Sequence, residues 1–184
     1  GPTIADDIKT SAVWAILLSL AAVFFYIYIR FKRWQFGMGA MVALLHDVLI
    51  LLSLFSIFNG ILPFSLDIDQ QFIAAVLTVM GYSMNDTVVV FDRIREEIGV
   101  NPDLGNKPLM IKTINESINH TMSRTVMTAT TVFLVVTVLL FFGGDVLRGF
   151  SFAMFIGVVF GAYSSIFVAA PIVIDLGSSK KEKK

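Results

Sequence analysis

The sequence of 184 residues has no cysteine and only two histidines, His46 and His120. Disulfide bonds, thiolate metal sites and catalysis by a thiol are therefore excluded, and so is a metal site built from several histidines. Charged side chains make up only 15% of the residues, and the 14 basic and 14 acidic groups cancel. Total charge therefore gives no reason to expect a nucleic acid as partner.

Apolar residues account for 56% of the sequence, and they occur in runs too long for the core of a soluble protein. Five runs approach the roughly 20 residues that a helix needs to cross a bilayer. These runs lie at about 11–29, 37–58, 70–91, 125–142 and 150–174. The sequence thus predicts an all-α, polytopic membrane protein whose transmembrane domain covers residues 11–176.

The remaining segments are polar. Residues 1–10 predict a short lead-in outside the membrane, ended by helix-capping residue types at Thr10 and Ser11. Residues 92–123 predict a loop that contains an amphipathic helix at the headgroup level, because apolar residues recur there at helical spacing from Leu109 onward. Residues 177–184 are small or charged and predict a disordered tail.

Basic residues are distributed unevenly between the two sides that five spans define. Only Lys9 and Arg148 fall on the side of Gly1, and the other basic residues fall opposite. By the positive-inside rule, Gly1 lies outside and the C-terminus inside the cell. Because an odd number of spans with an outside start is unusual, we expect at least one preceding span to be missing from this sequence. The cytoplasmic group comprises Arg30, Lys32, Arg33, Arg93, Arg95, Lys107, Lys112, Arg124, Lys180, Lys181, Lys183 and Lys184.

The third run contains a carboxylate, Asp86, and is otherwise rich in Leu, Ile, Val, Met and Phe. A carboxylate inside a span costs about 2.5 to 3.5 kcal/mol on insertion scales, so it is normally kept where it pairs, lines a water path or moves protons. Tyr82 shares its helix face at i−4, Ser83 lies close to it at i−3, and Asn85 is adjacent. Asp86 is therefore the first candidate for a functional residue.

The fourth run offers a matching polar stripe, with Thr121, Arg124, Thr128 and Thr131 at spacings of three, four and three. A pair between Asp86 and Arg124 would lower the cost of both charges. Two interpretations remain open for this pair. It is either a static salt bridge, with Asn85 and the threonines as interhelical hydrogen bonds, or a titrating pair that carries protons.

Two further features lie in the other runs. His46 and Asp47 are adjacent in the second run, so their side chains point about 100° apart and only one of them needs to face the interior. A structural hydrogen bond and a proton relay both remain open for them. Gly157 and Gly161 form a GxxxG pattern, which predicts a helix-packing face in the last run.

The stretch GYSMNDTVVVFDRIREE, residues 81–97, closely resembles the signature of SecF proteins, in the SecD/SecF family of the RND superfamily. ALLHDVLI, at 43–50, and SRTVMTATT, at 123–131, are similar to the neighbouring spans of the same family. The resemblance implies an RND-type half-bundle in the bacterial inner membrane, with a periplasmic head between the first and second of six spans. We therefore expect this sequence to lack that first span and the head.

The resemblance also implies a function. Such proteins work with SecD beside the SecYEG translocon, with YajC and YidC as further candidate partners, and use the proton motive force to assist preprotein export. Asp86 and Arg124 match the charged pair implicated in proton transport. The coupling ion would be a proton, or sodium as in some relatives, with no cofactor, no metal and no enzymatic activity. A structural scaffold for the translocon and a proton-coupled small-molecule exporter remain as alternatives.

Overall fold

The computed structural model describes residues 2–100 and 107–178, and every regular element in them is helical. The helices are α1 (Pro2–Phe31), α2 (Trp34–Phe58), α3 (Gln70–Val100), α4 (Lys107–Phe142), α5 (Asp145–Ser164) and α6 (Ala170–Ser178). A π-helical segment, Ser165–Ala169, joins α5 to α6 without a break. This part of the chain thus contains five helical rods long and apolar enough to span a membrane, which confirms the prediction of five spans.

Two helices begin earlier than the apolar runs. The first helix begins at Pro2 rather than near residue 11, because proline is favoured at a helix start and no glycine or proline follows before Gly37. Thr10 and Ser11 therefore lie inside α1 and cap nothing. The fourth helix runs from Lys107 to Phe142, so the predicted amphipathic helix and the fourth span are one rod, with no helix breaker after Pro108.

Other predicted boundaries fall partly outside the described residues. The third helix continues to Val100, nine residues beyond the predicted end of the span. The loop predicted for residues 92–123 includes residues 101–106, which lie outside the described residues. The same holds for residues 179–184 of the predicted tail, whereas Gly177 and Ser178 belong to α6.

α3 is the centre of the bundle. It packs most extensively on α5, and also contacts α2 and α4, while α1 packs mainly on α2. Two apolar clusters occupy the two ends of the bundle. One surrounds Phe55 and Phe72, where α2 ends and α3 begins, and the other surrounds Phe36 and Phe91, where α2 begins.

A layer of polar side chains separates the two apolar clusters. On α3, the first cluster ends at Met80 and the second begins at Val90. The intervening turns contain three polar residues with at most 2% of their surface exposed, Ser83, Asp86 and Thr87. Because buried polar groups are costly unless they are hydrogen-bonded, this layer is where function is expected.

Candidate functional site

The polar layer contains two carboxyl groups, Asp47 on α2 and Asp86 on α3. They are 1% and 2% exposed, so both carboxyl groups depend on the protein for hydrogen bonds. Hydroxyl groups of α3, α4, α5 and the π-helical segment surround them. The members besides the two carboxyl groups are Ser83, Thr87, Thr125, Thr128, Ser164 and Ser165.

Asp47 is saturated with hydrogen-bond donors. Its Oδ2 accepts from the hydroxyl of Ser83, at 2.6 Å, and from the hydroxyl of Ser164, at 2.9 Å. Its Oδ1 lies 3.2 Å from Nδ1 of His46. The carboxyl of Asp47 therefore joins three helices, α2, α3 and α5, through short side-chain contacts. Of the adjacent pair, Asp47 faces the interior and His46 lies at the edge, with its ring beside Tyr163.

A second set of hydroxyl contacts lies one turn further along α3. The hydroxyls of Thr87 and Ser165 are hydrogen-bonded at 2.8 Å, and the Thr87 hydroxyl also lies 3.0 Å from the Ser83 carbonyl oxygen. The Ser165 hydroxyl donates to the Gly161 carbonyl oxygen, at 2.9 Å. These contacts connect α3 to the start of the π-helical segment.

Both glycines of the GxxxG pattern lie against the same side of α3. A Cβ atom on Gly157 would overlap the side chain of Val79, and one on Gly161 would lie 3.0 Å from Cβ of Ser83. The absence of side chains on these glycines therefore allows the close approach of α5 to α3. We call Val79, Ser83 and Thr87, which repeat every fourth residue on this side, the clamped stripe of α3.

Asp86 lies on a different side of α3, toward α4. Its Oδ1 has one contact, the hydroxyl of Thr128 at 3.5 Å, and its Oδ2 is buried without any hydrogen-bond partner in the described part of the chain. Two other buried atoms also lack a partner here, the hydroxyls of Tyr82 and Thr125. Tyr82 is one turn from Asp86, and Thr125 is one turn from Thr128. We call Tyr82 and Asp86 the open stripe of α3.

Arg124 does not form the expected ion pair with Asp86. No nitrogen of Arg124 lies within 4 Å of the carboxyl group, although the guanidinium is near enough to attract it electrostatically. The reason is the rotation of α4, which buries Thr121 and Thr125 against the bundle. Arg124 is adjacent to Thr125, so its side chain points about 100° away and is exposed.

The remaining predicted residues are more peripheral. Asn85 and Thr131 are exposed on the surface of the described chain. The Thr131 hydroxyl donates to the Thr128 carbonyl oxygen within its own helix, at 2.8 Å. Thr128 itself donates mainly to the backbone of its own helix, at 3.0 Å. Within residues 2–100 and 107–178, no group of three His, Cys, Asp or Glu side chains is placed to hold a metal ion.

Sequence reasoning missed Ser164 and Ser165, which complete the contacts of Asp47 and Thr87. A signal was present, because the two serines are adjacent in an otherwise apolar span, and serine side chains often hydrogen-bond between transmembrane helices. Thr125 was also missed, because the predicted stripe on α4 was centred on its neighbour Arg124. The burial of Thr125 follows from the packing of α4 and could not be read from spacing alone.

Comparisons with known proteins agree with this architecture. The family model "Protein export membrane protein SecD/SecF, C-terminal" matches residues 1–179. The protein translocase subunit SecF of Rhodothermus marinus is 57% identical over 176 residues, covering 96% of this chain and 56% of the relative. SecF of Rhodobacter capsulatus is 45% identical over 186 residues, covering 100% and 52%. The chain spans about half the length of these curated relatives.

Solved structures give the same result. The crystal structure of SecDF from Thermus thermophilus, described as a translocon-associated membrane protein, matches with a TM-score of 0.81 and 43% sequence identity. The match covers 96% of this chain and 23% of the SecDF chain. SecDF in a super-membrane-facing form matches with a TM-score of 0.79 and 39% identity. The helical arrangement described above is therefore similar to one part of a larger membrane protein.

Proposed function

The chain belongs to the SecD/SecF family of protein-export membrane proteins, and from that premise we propose that it supplies the membrane-embedded proton site of a protein translocase subunit. In this proposal the subunit works with SecD and uses the proton motive force to assist preprotein translocation across the cytoplasmic membrane. Asp86 is the residue that gains and loses the proton.

The observation that carries the proposal is the incomplete hydrogen bonding of Asp86. A carboxylate that stays ionised inside a protein is normally surrounded by donors, whereas Asp86 has one long contact and one oxygen with none among the described residues. Such a group changes its contacts when it takes up a proton, because the neutral carboxyl gains an O–H donor. The hydroxyls of Tyr82 and Thr125 are also buried without a partner among the described residues, on α3 and α4.

Arg124 supports the same role from the exposed side of α4. Its guanidinium attracts the ionised form of Asp86 without contacting it, so a swing of the side chain or a small rotation of α4 would create the ion pair. Protonation of Asp86 would remove that attraction. One proton crossing 100 mV releases roughly 2.3 kcal/mol, which is enough to change the population of a two-state element more than tenfold.

The membrane orientation is part of the proposal. The chain is a multi-pass membrane protein, and the concentration of basic residues at one end of the bundle supports a cytoplasmic position for that end. The N-terminal end then lies on the periplasmic side, and the C-terminus is cytoplasmic. Asp86 lies closer to the cytoplasmic end, where α3 continues to the charged residues Asp92 and Arg93.

Partners follow from the relatives. Those relatives are named translocase subunits, and the solved relative is a SecDF protein described as translocon-associated, which supports SecD as the partner. SecYEG as the translocon stays a prediction. In this proposal, SecD contacts the side of α4 on which Arg124 is exposed. YajC and YidC as partners, contact with preprotein through a head domain, and sodium in place of the proton remain predictions.

The test is preprotein export in vesicles that contain the full-length parent protein with SecD, measured with and without a proton gradient. We expect Asp86→Asn and Arg124→Met each to lose the gradient-dependent part of export while protein levels stay normal. Asp92→Asn is the matched control, because Asp92 lies on the same helix but is exposed and pairs with Arg30 at 3.2 Å. That control should keep the gradient response.

Unchanged export in Asp86→Asn would contradict the proposal. The subunit would then act as a scaffold that stabilises the translocon without moving protons. A scaffold role also predicts that only variants that disturb helix packing reduce export, whatever their charge.

A further inference from the structure

The polar contacts of α3 are divided between two sides, and this division suggests a role for Asp47. The turn from Ser83 to Thr87 is held on one side by Asp47 of α2 and by Ser165 of the π-helical segment, at 2.6 and 2.8 Å. Ser164 of α5 contacts the same carboxyl of Asp47, at 2.9 Å. Asp86 lies within this same turn and points to the other side. A contact that fixes Ser83 and Thr87 therefore also fixes the direction in which Asp86 points.

We propose that Asp47 is a positioning residue, which acts through the hydroxyl of Ser83 to set the orientation of Asp86 toward α4. This inference rests on the proposed function, because the orientation of Asp86 matters only if Asp86 exchanges a proton. Asp47 itself does not contact Asp86. It anchors the side of α3 opposite α4.

The geometry explains why an aspartate stands at this position. The Oδ2 atom of Asp47 accepts two hydroxyl hydrogen bonds at once, from Ser83 on α3 and Ser164 on α5, and all three side chains are at most 1% exposed. An apolar residue would leave the Ser83 hydroxyl without its described acceptor and the Ser164 hydroxyl with only the Gly161 carbonyl oxygen, at 3.2 Å. A shorter polar residue could not reach two helices. The rotation of α3 about its axis is therefore tied to α5 through one carboxyl group.

Ser83 and Ser164 provide a matched pair of variants. Both hydroxyls donate to the same carboxylate oxygen, both residues are fully buried, and each variant to alanine removes one hydroxyl only. The difference that the experiment uses is that Ser83 is on the helix of Asp86 and Ser164 is not; the Ser164 hydroxyl also lies 3.2 Å from the Gly161 carbonyl oxygen. A purely structural role for Asp47 predicts equal effects, whereas a positioning role predicts an effect on Asp86 in Ser83→Ala alone.

The experiment reads the protonation of Asp86 directly. The full-length parent protein with SecD is reconstituted in liposomes and treated with dicyclohexylcarbodiimide, which modifies protonated carboxyl groups in apolar surroundings, and labelling of Asp86 is followed against pH by mass spectrometry. In the described chain, the titratable and charged groups that face Asp86 are Tyr82 on α3 and Arg124 on α4. On the opposite side of α3 lie His46 and Asp47 of α2. Ser83→Ala and Ser164→Ala leave all four of these charged or titratable residues in place.

We expect the midpoint of labelling to move by at least about half a pH unit in Ser83→Ala, a roughly threefold change in proton affinity. In Ser164→Ala it should stay within about 0.2 of a unit, although both variants lower the apparent melting temperature by similar amounts. Asp47→Leu should move the midpoint as Ser83→Ala does. If Asp47→Leu fails to fold, the comparison of Ser83→Ala with Ser164→Ala still tests the positioning role.

Equal midpoints of Asp86 labelling in Ser83→Ala and Ser164→Ala would overturn the positioning role, whether or not they differ from that of the unmodified sequence. Labelling of Asp86 that does not depend on pH in the unmodified sequence would also overturn it. Because labelling requires no export, these results are independent of the export assay. A loss of gradient-dependent export in Asp86→Asn together with equal midpoints would leave the proposed function standing and remove only this inference.

Discussion

The clamped stripe and the open stripe of α3 differ in how completely their polar atoms are bonded. On the clamped stripe, Ser83 and Thr87 each have a side-chain partner on a neighbouring helix within 2.8 Å. On the open stripe, the hydroxyl of Tyr82 and one oxygen of Asp86 have none in the described part of the chain. The two buried carboxyl groups of one polar layer therefore differ in their contacts. Asp47 is bonded to hydroxyls of two other helices, whereas Asp86 has one long contact.

The largest effect on stability should come from filling the gap between α5 and the clamped stripe. Gly157→Ala places a Cβ atom in the volume of the Val79 side chain, so the two helices must separate. Overpacking of this kind costs about 1 to 3 kcal/mol. Thermal unfolding of the purified protein in detergent measures the loss.

Gly81→Ala is the control for that variant. Gly81 is an exposed glycine of α3, and no atom outside its own helix turn lies within 4 Å of the position that an added Cβ atom would take. Alanine is also the better helix former. The melting temperature of Gly81→Ala should therefore stay the same or rise slightly. A fall as large as that of Gly157→Ala would show that the contact with Val79 is not what limits the packing.

The two carboxyl groups can be compared directly by the same substitution. Asp47→Asn keeps the shape of the side chain but weakens its two hydrogen bonds from serine hydroxyls, so we expect a loss of roughly 1 to 2 kcal/mol in the free energy of unfolding. Asp86→Asn has only one long contact to lose and should cost less than about 0.5 kcal/mol. Chemical or thermal unfolding in detergent would measure both values, and the reverse order would contradict the comparison.

The contact between Thr87 and Ser165 should contribute less than the contacts of Asp47. Thr87→Val removes one hydroxyl from a buried pair of uncharged groups, and the Ser165 hydroxyl keeps its bond to the Gly161 carbonyl oxygen. A loss of about 0.5 to 1.5 kcal/mol is expected from the same unfolding measurement. No loss at all would mean that the π-helical segment is not tied to α3 by this pair.

The smallest effect on stability should come from removing the hydrogen bond from Thr128, the only one described between Asp86 and α4. Thr128→Val removes the hydroxyl that lies 3.5 Å from Oδ1 of Asp86, a distance at which a hydrogen bond is weak. The same hydroxyl otherwise contacts the Arg124 carbonyl oxygen of its own helix. Stability should change by less than about 0.5 kcal/mol. A large loss would mean that the open stripe is as firmly bonded as the clamped one.

The sequence was sufficient for the architecture and for the position of Asp86 inside a span. Five long apolar runs predict five spans, and a buried carboxylate in one of them is conspicuous because its insertion cost is high. The relation of Asp86 to Arg124 was predicted less well. Residue spacing places them at similar depth, but the rotation of α4 depends on the packing of Thr121 and Thr125, which spacing does not reveal.

The network around Asp47 could be predicted only in part. Helical geometry indicates that either His46 or Asp47 faces inward, and the choice depends on what α3 and α5 present to that position. Ser164 lies 117 residues away in the sequence, so only the folded bundle brings it to Asp47. Local patterns do not contain that information.

The π-helical segment has a consequence for the evolution of the last span. Each hydrogen bond in a π-helix spans one residue more than in an α-helix. Ser165–Ala169 therefore contains one residue in excess of a regular α-helical turn. Deleting one residue there would restore a regular α-helix and leave Ala170 and Val173 facing the same neighbours. In a regular α-helical part of a span, the same deletion would turn everything beyond it by about 100°. The last span can thus lose a residue at this position without exchanging its buried and exposed faces.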